Sequence, residues 1–146
     1  MIDRTSASRD RRGLRLTLGI VALVFGAATL REGGRVLFGG PEVRAAAGHV
    51  VPFVLTFNFG AGFVYLAAGV ATLARRRSAA WLARALAAST LVVFAALGLH
   101  ILLGGAYERR TVLAMAFRSA LWCVEAWLVP RALGGPVDAR HPEGTA

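Results

Sequence analysis

The sequence predicts an all-α integral membrane protein whose four transmembrane helices form an up-down-up-down bundle. The clearest sign is a run of 30 residues, Ala45–Ala74, that contains no Asp, Glu, Lys or Arg and ends at Arg75–Arg77. About 20 apolar helical residues suffice to cross a hydrocarbon core of about 30 Å. Composition agrees, since 56% of the residues are hydrophobic, only 17% are charged and the mean hydropathy is +0.58.

The first predicted span covers residues 16–38. It follows a polar tail, residues 1–15, that carries five arginines and is expected to be flexible and cytoplasmic. The apolar part, Leu16–Leu30, is short, but arginine side chains at its ends can extend to the interfaces and lengthen it. A basic start before a short apolar run is also typical of a secretory signal peptide, so removal of this span stays an alternative. Residues 31–48 are expected to form a Gly-rich connection in which Pro41 breaks any helix.

Three further spans complete the predicted membrane domain, residues 16–133. They cover about 50–74, 80–103 and 111–130. Pro52 lies in the first turn of the second span, where its missing N–H costs little. Gly104 and Gly105 end the third span, and Pro130 lies at the end of the fourth. Residues 134–146 are expected to form a flexible cytoplasmic tail.

Arginine positions predict the orientation of the bundle. Eleven arginines lie in the two tails and the loop between the second and third spans, and five lie on the opposite side. The positive-inside rule therefore places both termini in the cytoplasm of a bacterial inner membrane. The net charge of +9 is concentrated at the ends of apolar segments. That pattern favours lipid headgroups as the electrostatic partner and argues against nucleic acid.

Each span carries one stripe of small or polar residues at helical spacing, which we predict to face the bundle interior. Gly26, Gly62 and Gly69 are the predicted helix-packing positions. The four stripes are Ala22, Gly26, Thr29 and Gly33; Asn58, Gly62, Tyr65, Gly69 and Thr72; Ser89, Val93, Ala96, His100 and Gly104; and Met115, Arg118, Trp122, Glu125 and Val129.

Four polar side chains within the spans form a candidate intramembrane pocket: Asn58, His100, Arg118 and Glu125. A charge at the bilayer centre costs roughly 2.5 to 3.5 kcal/mol, so it needs a partner, a cavity or a role. Arg118 and Glu125 lie seven residues apart on one helical face. Two interpretations stay open: a polar pocket open to the outer side, or a structural clamp in which Arg118 pairs with Glu125 or a residue of another helix.

Motifs for catalysis are missing from the sequence. It has no P-loop, GxGxxG, HExxH or GxSxG pattern, and Cys123 is the only cysteine. Haem ligation by two histidines would require His100 with His49. We expect no catalytic residue, no cofactor and no metal site.

Two apolar segments carry a resemblance to a known group of proteins. The string Leu-Arg-Leu-Thr-Leu-Gly at 14–19 with Phe25-Gly26, and the Gly-rich stretch 59–70, resemble the first two spans of the DoxX-like families of small four-span bacterial membrane proteins. The resemblance covers the first half of the chain. Asn58 stands near where those families carry an acidic residue, and nothing carries over to His100, Arg118 or Glu125. The resemblance to these families implies a four-helix membrane protein, in some cases linked to respiratory or redox systems.

These observations predict a non-enzymatic accessory or packing subunit of a membrane complex. Its expected partners are the lipid bilayer and a second copy of the chain or another membrane protein. One alternative is a small transporter or channel component that uses the polar intramembrane pocket. The other is a membrane redox protein or an enzyme acting on a lipid or quinone, with His100 or Glu125 as proton donor.

Overall fold

The computed structural model describes residues 4–134, with side chains from residue 9 onwards. In this part of the chain there are five helices and no strand: α1 (Arg4–Phe38), α2 (Pro41–Ala47), α3 (Pro52–Leu73), α4 (Ser78–Leu102) and α5 (Arg109–Leu133). The four long helices are each long and apolar enough to cross a membrane. The predicted C-terminal tail lies outside the described residues, except for Gly134.

The four long helices form an up-down-up-down bundle, which confirms the predicted fold class. Each packs against two others: α1 against α3 and α5, and α4 against the same two. The turn between α3 and α4 is short because Arg75 adopts a left-handed conformation, with φ of 55°, and the Arg76 N–H donates to the Ala71 carbonyl at 2.8 Å. Such a turn makes the two helices antiparallel neighbours.

The N-terminal third differs from the prediction in two ways. The segment expected to be a flexible tail is helical from Arg4, since its arginines, serines and alanine are compatible with a helix that the apolar run extends. The connection expected over residues 31–48 is mostly helical too. α1 ends at Phe38, where the predicted first span also ends, so residues 31–38 belong to the span and not to the connection. Pro41 begins α2 rather than breaking a helix, because its fixed φ suits the first helical position.

The interface between α1 and α3 is the most extensive in the bundle. On both helices glycines alternate with large apolar residues at spacings of three and four, the pattern of a coiled-coil seam. Each glycine faces a large side chain of the other helix: Gly19 faces Leu73, Gly26 faces Leu66, Gly33 faces Phe59, Gly62 faces Leu30 and Gly69 faces Leu23. The backbones therefore approach closely in one antiparallel register. The three predicted packing glycines all lie in this interface.

The predicted inward faces of α1, α3 and α5 lie in the bundle interior, but that of α4 is wrong. Ala96 and Gly104 are exposed, whereas Ala83, Leu86, Ala87, Thr90 and Leu97 are buried. Ser89 suggested the wrong face because its hydroxyl is satisfied within its own helix, by the Leu86 carbonyl at 3.2 Å. Most of α4 is Ala, Leu or Val, so its hydrophobic pattern does not mark a face.

Candidate binding site at the α2 end of the bundle

A cavity of about 430 Å³ opens at the end of the bundle that carries α2. We call this end the α2 end. Helices α1, α3 and α5 form the cavity walls with α2 above them, and nearly half of the lining residues are valine or alanine. The volume falls within the range of small-molecule sites, about 300 to 1,000 Å³. Its charged residues are Glu32, Arg35, Arg110 and Arg118, and its neutral polar residues are Thr29, Asn58 and Thr111.

Arg118 lies deepest on the α5 wall. Side chains of a helix lean toward its N-terminus, and α5 begins at the α2 end, so the guanidinium group is directed into the cavity. Its Nη2 donates to the Thr29 hydroxyl at 3.3 Å, and its Cζ lies 5.5 Å from the centre of the Phe25 ring. Nε is buried without a hydrogen-bond partner.

Arg118 has no acidic partner in the part of the chain that the structure describes. The two contacts found there between an acidic and a basic side chain join Glu32 to Arg35 and Glu108 to the His49 ring. A half-buried guanidinium within a membrane span thus contacts the Thr29 hydroxyl and the Phe25 ring, and the Tyr65 hydroxyl lies nearby without good hydrogen-bond geometry. Because an unpaired charge in hydrocarbon is costly, this arrangement favours an anion in the cavity.

Asn58 is the second polar group that the structure places deep in the cavity. It is 8% exposed, and its Oδ1 has no hydrogen-bond partner among the described residues. Asn58 lies on the buried face of α3, as its position in the polar stripe predicts. A side-chain amide can both donate and accept, so Asn58 can serve a ligand oxygen as well as a ligand hydroxyl.

The mouth of the cavity is positively charged. Arg35 Nη1 lies 3.6 Å from Glu32 Oε2, and both side chains are largely exposed. Arg110 donates to the carbonyl groups of Ala46, at 3.1 Å, and Ala47 at the end of α2. Three arginines and one glutamate line the cavity, so its net charge is positive.

The segment after α2 is fastened to the start of α5 by Glu108. The carboxylate accepts the backbone N–H of His49 at 3.0 Å, and its Oε1 lies 3.5 Å from His49 Nδ1. The hydrogen bond from that N–H, with Arg110 and the His49 ring nearby, holds the pKa of Glu108 below its ordinary value. Together with the Arg110 contacts, this bond fixes α2 above the cavity.

The structure does not bring the other two predicted pocket residues into the cavity. His100 faces the end of α4, where Nε2 lies 3.1 Å from the Ala106 carbonyl and the ring contacts Phe53. Glu125 is 2% exposed and lies about 10 Å further along α5 than Arg118, as seven helical residues require. No ion pair joins Glu125 to Arg118 in the described part of the chain, and the hydroxyl that Arg118 contacts belongs to Thr29 of another helix, α1.

The centre of the bundle holds a second group of polar side chains, one that sequence reasoning did not assemble. In the centre of the bundle the Tyr65 and Trp122 rings lie 4.6 Å apart, and the Tyr65 hydroxyl is close to Thr90, Trp122 and Arg118. None of these contacts to the Tyr65 hydroxyl has good hydrogen-bond geometry. The polar spacing on α3 and α5 was visible in the sequence, but the rotation of α4 that brings in Thr90 was not.

Comparison with known proteins adds no relative. No protein-family model, no curated protein and no solved structure matches the chain. The resemblance to the DoxX-like families therefore stays a prediction.

Within residues 9–134, no three His, Cys, Asp or Glu side chains lie close enough to hold a metal ion. The geometry of the cavity is thus the basis for a functional proposal about this multi-pass membrane protein.

Proposed function

We propose that this protein is a non-enzymatic component of the bacterial inner membrane that binds an anionic ligand in the cavity at the α2 end. The single observation that carries the proposal is the Arg118 guanidinium group, directed into a cavity without a carboxylate partner among the described residues. Among the alternatives that the sequence left open, the proposal is nearest to a transporter or channel component that uses an intramembrane pocket.

The chemistry of the lining supports an anion with an apolar part. A guanidinium group binds carboxylate or phosphate oxygens through two parallel N–H donors, and the unpartnered Nε of Arg118 is one of its donors. Asn58 offers an amide at the same depth. The valine and alanine walls favour a ligand that also carries hydrocarbon.

The same lining argues against catalysis at this cavity. A reaction needs a nucleophile or a general base within reach of the bound group. Glu32 is the one carboxylate among the lining residues; it is exposed and pairs with Arg35. The threonine hydroxyls of Thr29 and Thr111 have no adjacent base among the lining residues. Binding is therefore the role that the residues fit.

Thermal unfolding in mild detergent tests the proposal. Decanoate, whose carboxylate and chain match the cavity, should raise the midpoint for the unmodified protein; a ligand at 100 times its Kd adds about 2.7 kcal/mol. Arg118→Gln should remove most of this shift. Arg84→Gln is the matched control, since Arg84 is exposed on α4 and does not line the cavity. An equal shift in the unmodified protein and in Arg118→Gln would refute the proposal.

We also propose the orientation that the arginine counts predict, with both termini in the cytoplasm. A reporter fused after Ala146 should then report the cytoplasm, and one inserted near Pro41 should report the opposite side.

The predicted role as an accessory subunit remains a separate proposal. Crosslinking in the native membrane, followed by identification of the products, should yield a homo-oligomer or a defined partner; a strictly monomeric protein would contradict it.

A further inference from the structure

The seam between α1 and α5 is the least extensive of the four contacts between neighbouring long helices. The cavity lies along this seam. Thr29, Gly33 and Val36 line it from α1, and Ala114 and Arg118 line it from α5. Because α1 and α5 contact each other least, the side of the bundle where lipid can most easily enter is the side on which the cavity lies.

Small and large residues decide where the seam is closed. Toward the bundle centre the rings of Phe25 and Phe117 meet edge to face, with centroids 5.7 Å apart, and close it. One turn nearer the α2 end, α5 carries Ala114, which is exposed on the bundle surface and also lines the cavity. A residue that is both exposed and cavity-lining marks an opening. In a membrane-spanning helix at this depth, the opening faces lipid.

We infer that the anionic ligand is a lipid of the leaflet at the α2 end, admitted sideways between α1 and α5. The inference rests on the proposed function and names its ligand. The headgroup lies between Arg110 at the mouth and Arg118 at the floor. The acyl chain leaves past Ala114 and lies against Phe117, a residue that is 60% exposed.

Charge and position favour a lipid over a water-soluble anion. The two arginines are eight residues apart on α5, about 12 Å along the helix, and both side chains lean toward the α2 end, so a ligand that reaches both must extend over a comparable length. From the aqueous side the mouth is partly covered by α2, which Arg110 and Glu108 hold in place. The seam has no such cover.

Photo-crosslinking tests this inference. The protein is placed in phosphatidylcholine nanodiscs with phosphatidylglycerol that carries a diazirine in its acyl chain, and labelled peptides are identified. Label from phosphatidylglycerol should be enriched several-fold at the α1–α5 seam over label from a phosphatidylcholine probe with the same chain. Arg118→Gln should remove the enrichment. Equal labelling by the two probes, or labelling spread evenly over α4, would overturn the inference.

A bulky side chain at the opening provides the second arm. Ala114→Trp should reduce the seam labelling several-fold, whereas Leu113→Trp should not, because Leu113 is 70% exposed and does not line the cavity. Unchanged labelling in Ala114→Trp would refute sideways entry, and crosslinked dimers in place of lipid adducts would show that a second copy covers the seam. If Ala114→Trp does not fold, the comparison of the two probes in the unmodified protein still decides.

The two proposals can fail separately. Binding of decanoate and inorganic phosphate is measured in detergent, with and without Arg118→Gln. Anion binding that depends on Arg118, without enrichment of phosphatidylglycerol, would leave the proposed function standing and overturn the lipid inference. If anion binding does not depend on Arg118 and phosphatidylglycerol is not enriched at the seam, both the proposed function and the lipid inference are overturned.

Discussion

Replacing Gly69 by alanine tests the packing of α1 against α3 more directly than any other single change. Gly69 lies in the C-terminal part of α3, four residues before Leu73, and faces α1. A Cβ atom built at this position would lie 2.8 Å from Leu23 Cγ and 3.0 Å from the Gly19 carbonyl oxygen. The leucine can adopt another rotamer, but the carbonyl oxygen belongs to the backbone of α1. The two helices must therefore separate by a few tenths of an ångström along the whole seam.

The expected magnitude combines two opposed effects. Alanine stabilises a helix interior by about 0.5 to 1 kcal/mol relative to glycine. Overpacking a close interface costs typically 1 to 3 kcal/mol. We therefore expect Gly69→Ala to lower the free energy of unfolding by about 1 to 2 kcal/mol, since the cost of separating the helices exceeds the gain in propensity.

Gly60 provides a matched control within the same helix. A Cβ atom there meets nothing within 4 Å, so only the propensity gain applies. Gly60→Ala should be neutral or stabilising by up to about 1 kcal/mol. Unfolding of both variants is followed by circular dichroism in mixed micelles with increasing dodecyl sulfate. If Gly69→Ala is as stable as Gly60→Ala, the inferred close approach of the two helices is wrong.

Other predictions concern the charged groups. Arg118→Leu and Glu125→Leu should have additive effects on the free energy of unfolding within about 0.5 kcal/mol, because the residues make no direct contact; a double mutant more stable than that sum would restore the clamp. Glu108 should make the docking of α2 depend on pH. Its pKa is lowered in the folded protein, so its contribution is complete above the unfolded pKa and is lost as pH falls through the folded value. The protection of the amides of residues 41–50, taken as the intrinsic exchange rate divided by the observed rate at the same pH, should fall in acid for the unmodified protein. In Glu108→Gln this protection should be low at every pH; a pH response of the protection that is unchanged by this substitution would contradict the assignment.

The sequence was sufficient for the four spans and for most inward faces. The length of each apolar run is fixed by the bilayer, and polar or glycine residues at spacings of three and four mark the buried sides of α1, α3 and α5. It was insufficient for α4, where apolar residues surround the helix and the one serine bonds to its own backbone. It also missed α2, because a proline at the first position of a helix looks in sequence like a helix breaker.

In the candidate site, the sequence predicts how far along its span a polar residue lies, but not the direction in which its side chain extends. Depth follows from counting residues, so Asn58 and Arg118 could be placed near one another from the sequence. Direction depends on the rotation of each helix and on the tilt of side chains toward the helix N-terminus. Arg118 is directed toward the α2 end and into the cavity, whereas Glu125 lies about 10 Å away in a buried layer of the bundle, beyond Trp122. Two ionisable groups on one helical face therefore lie in two different environments, and Arg118 has no carboxylate partner among the described residues.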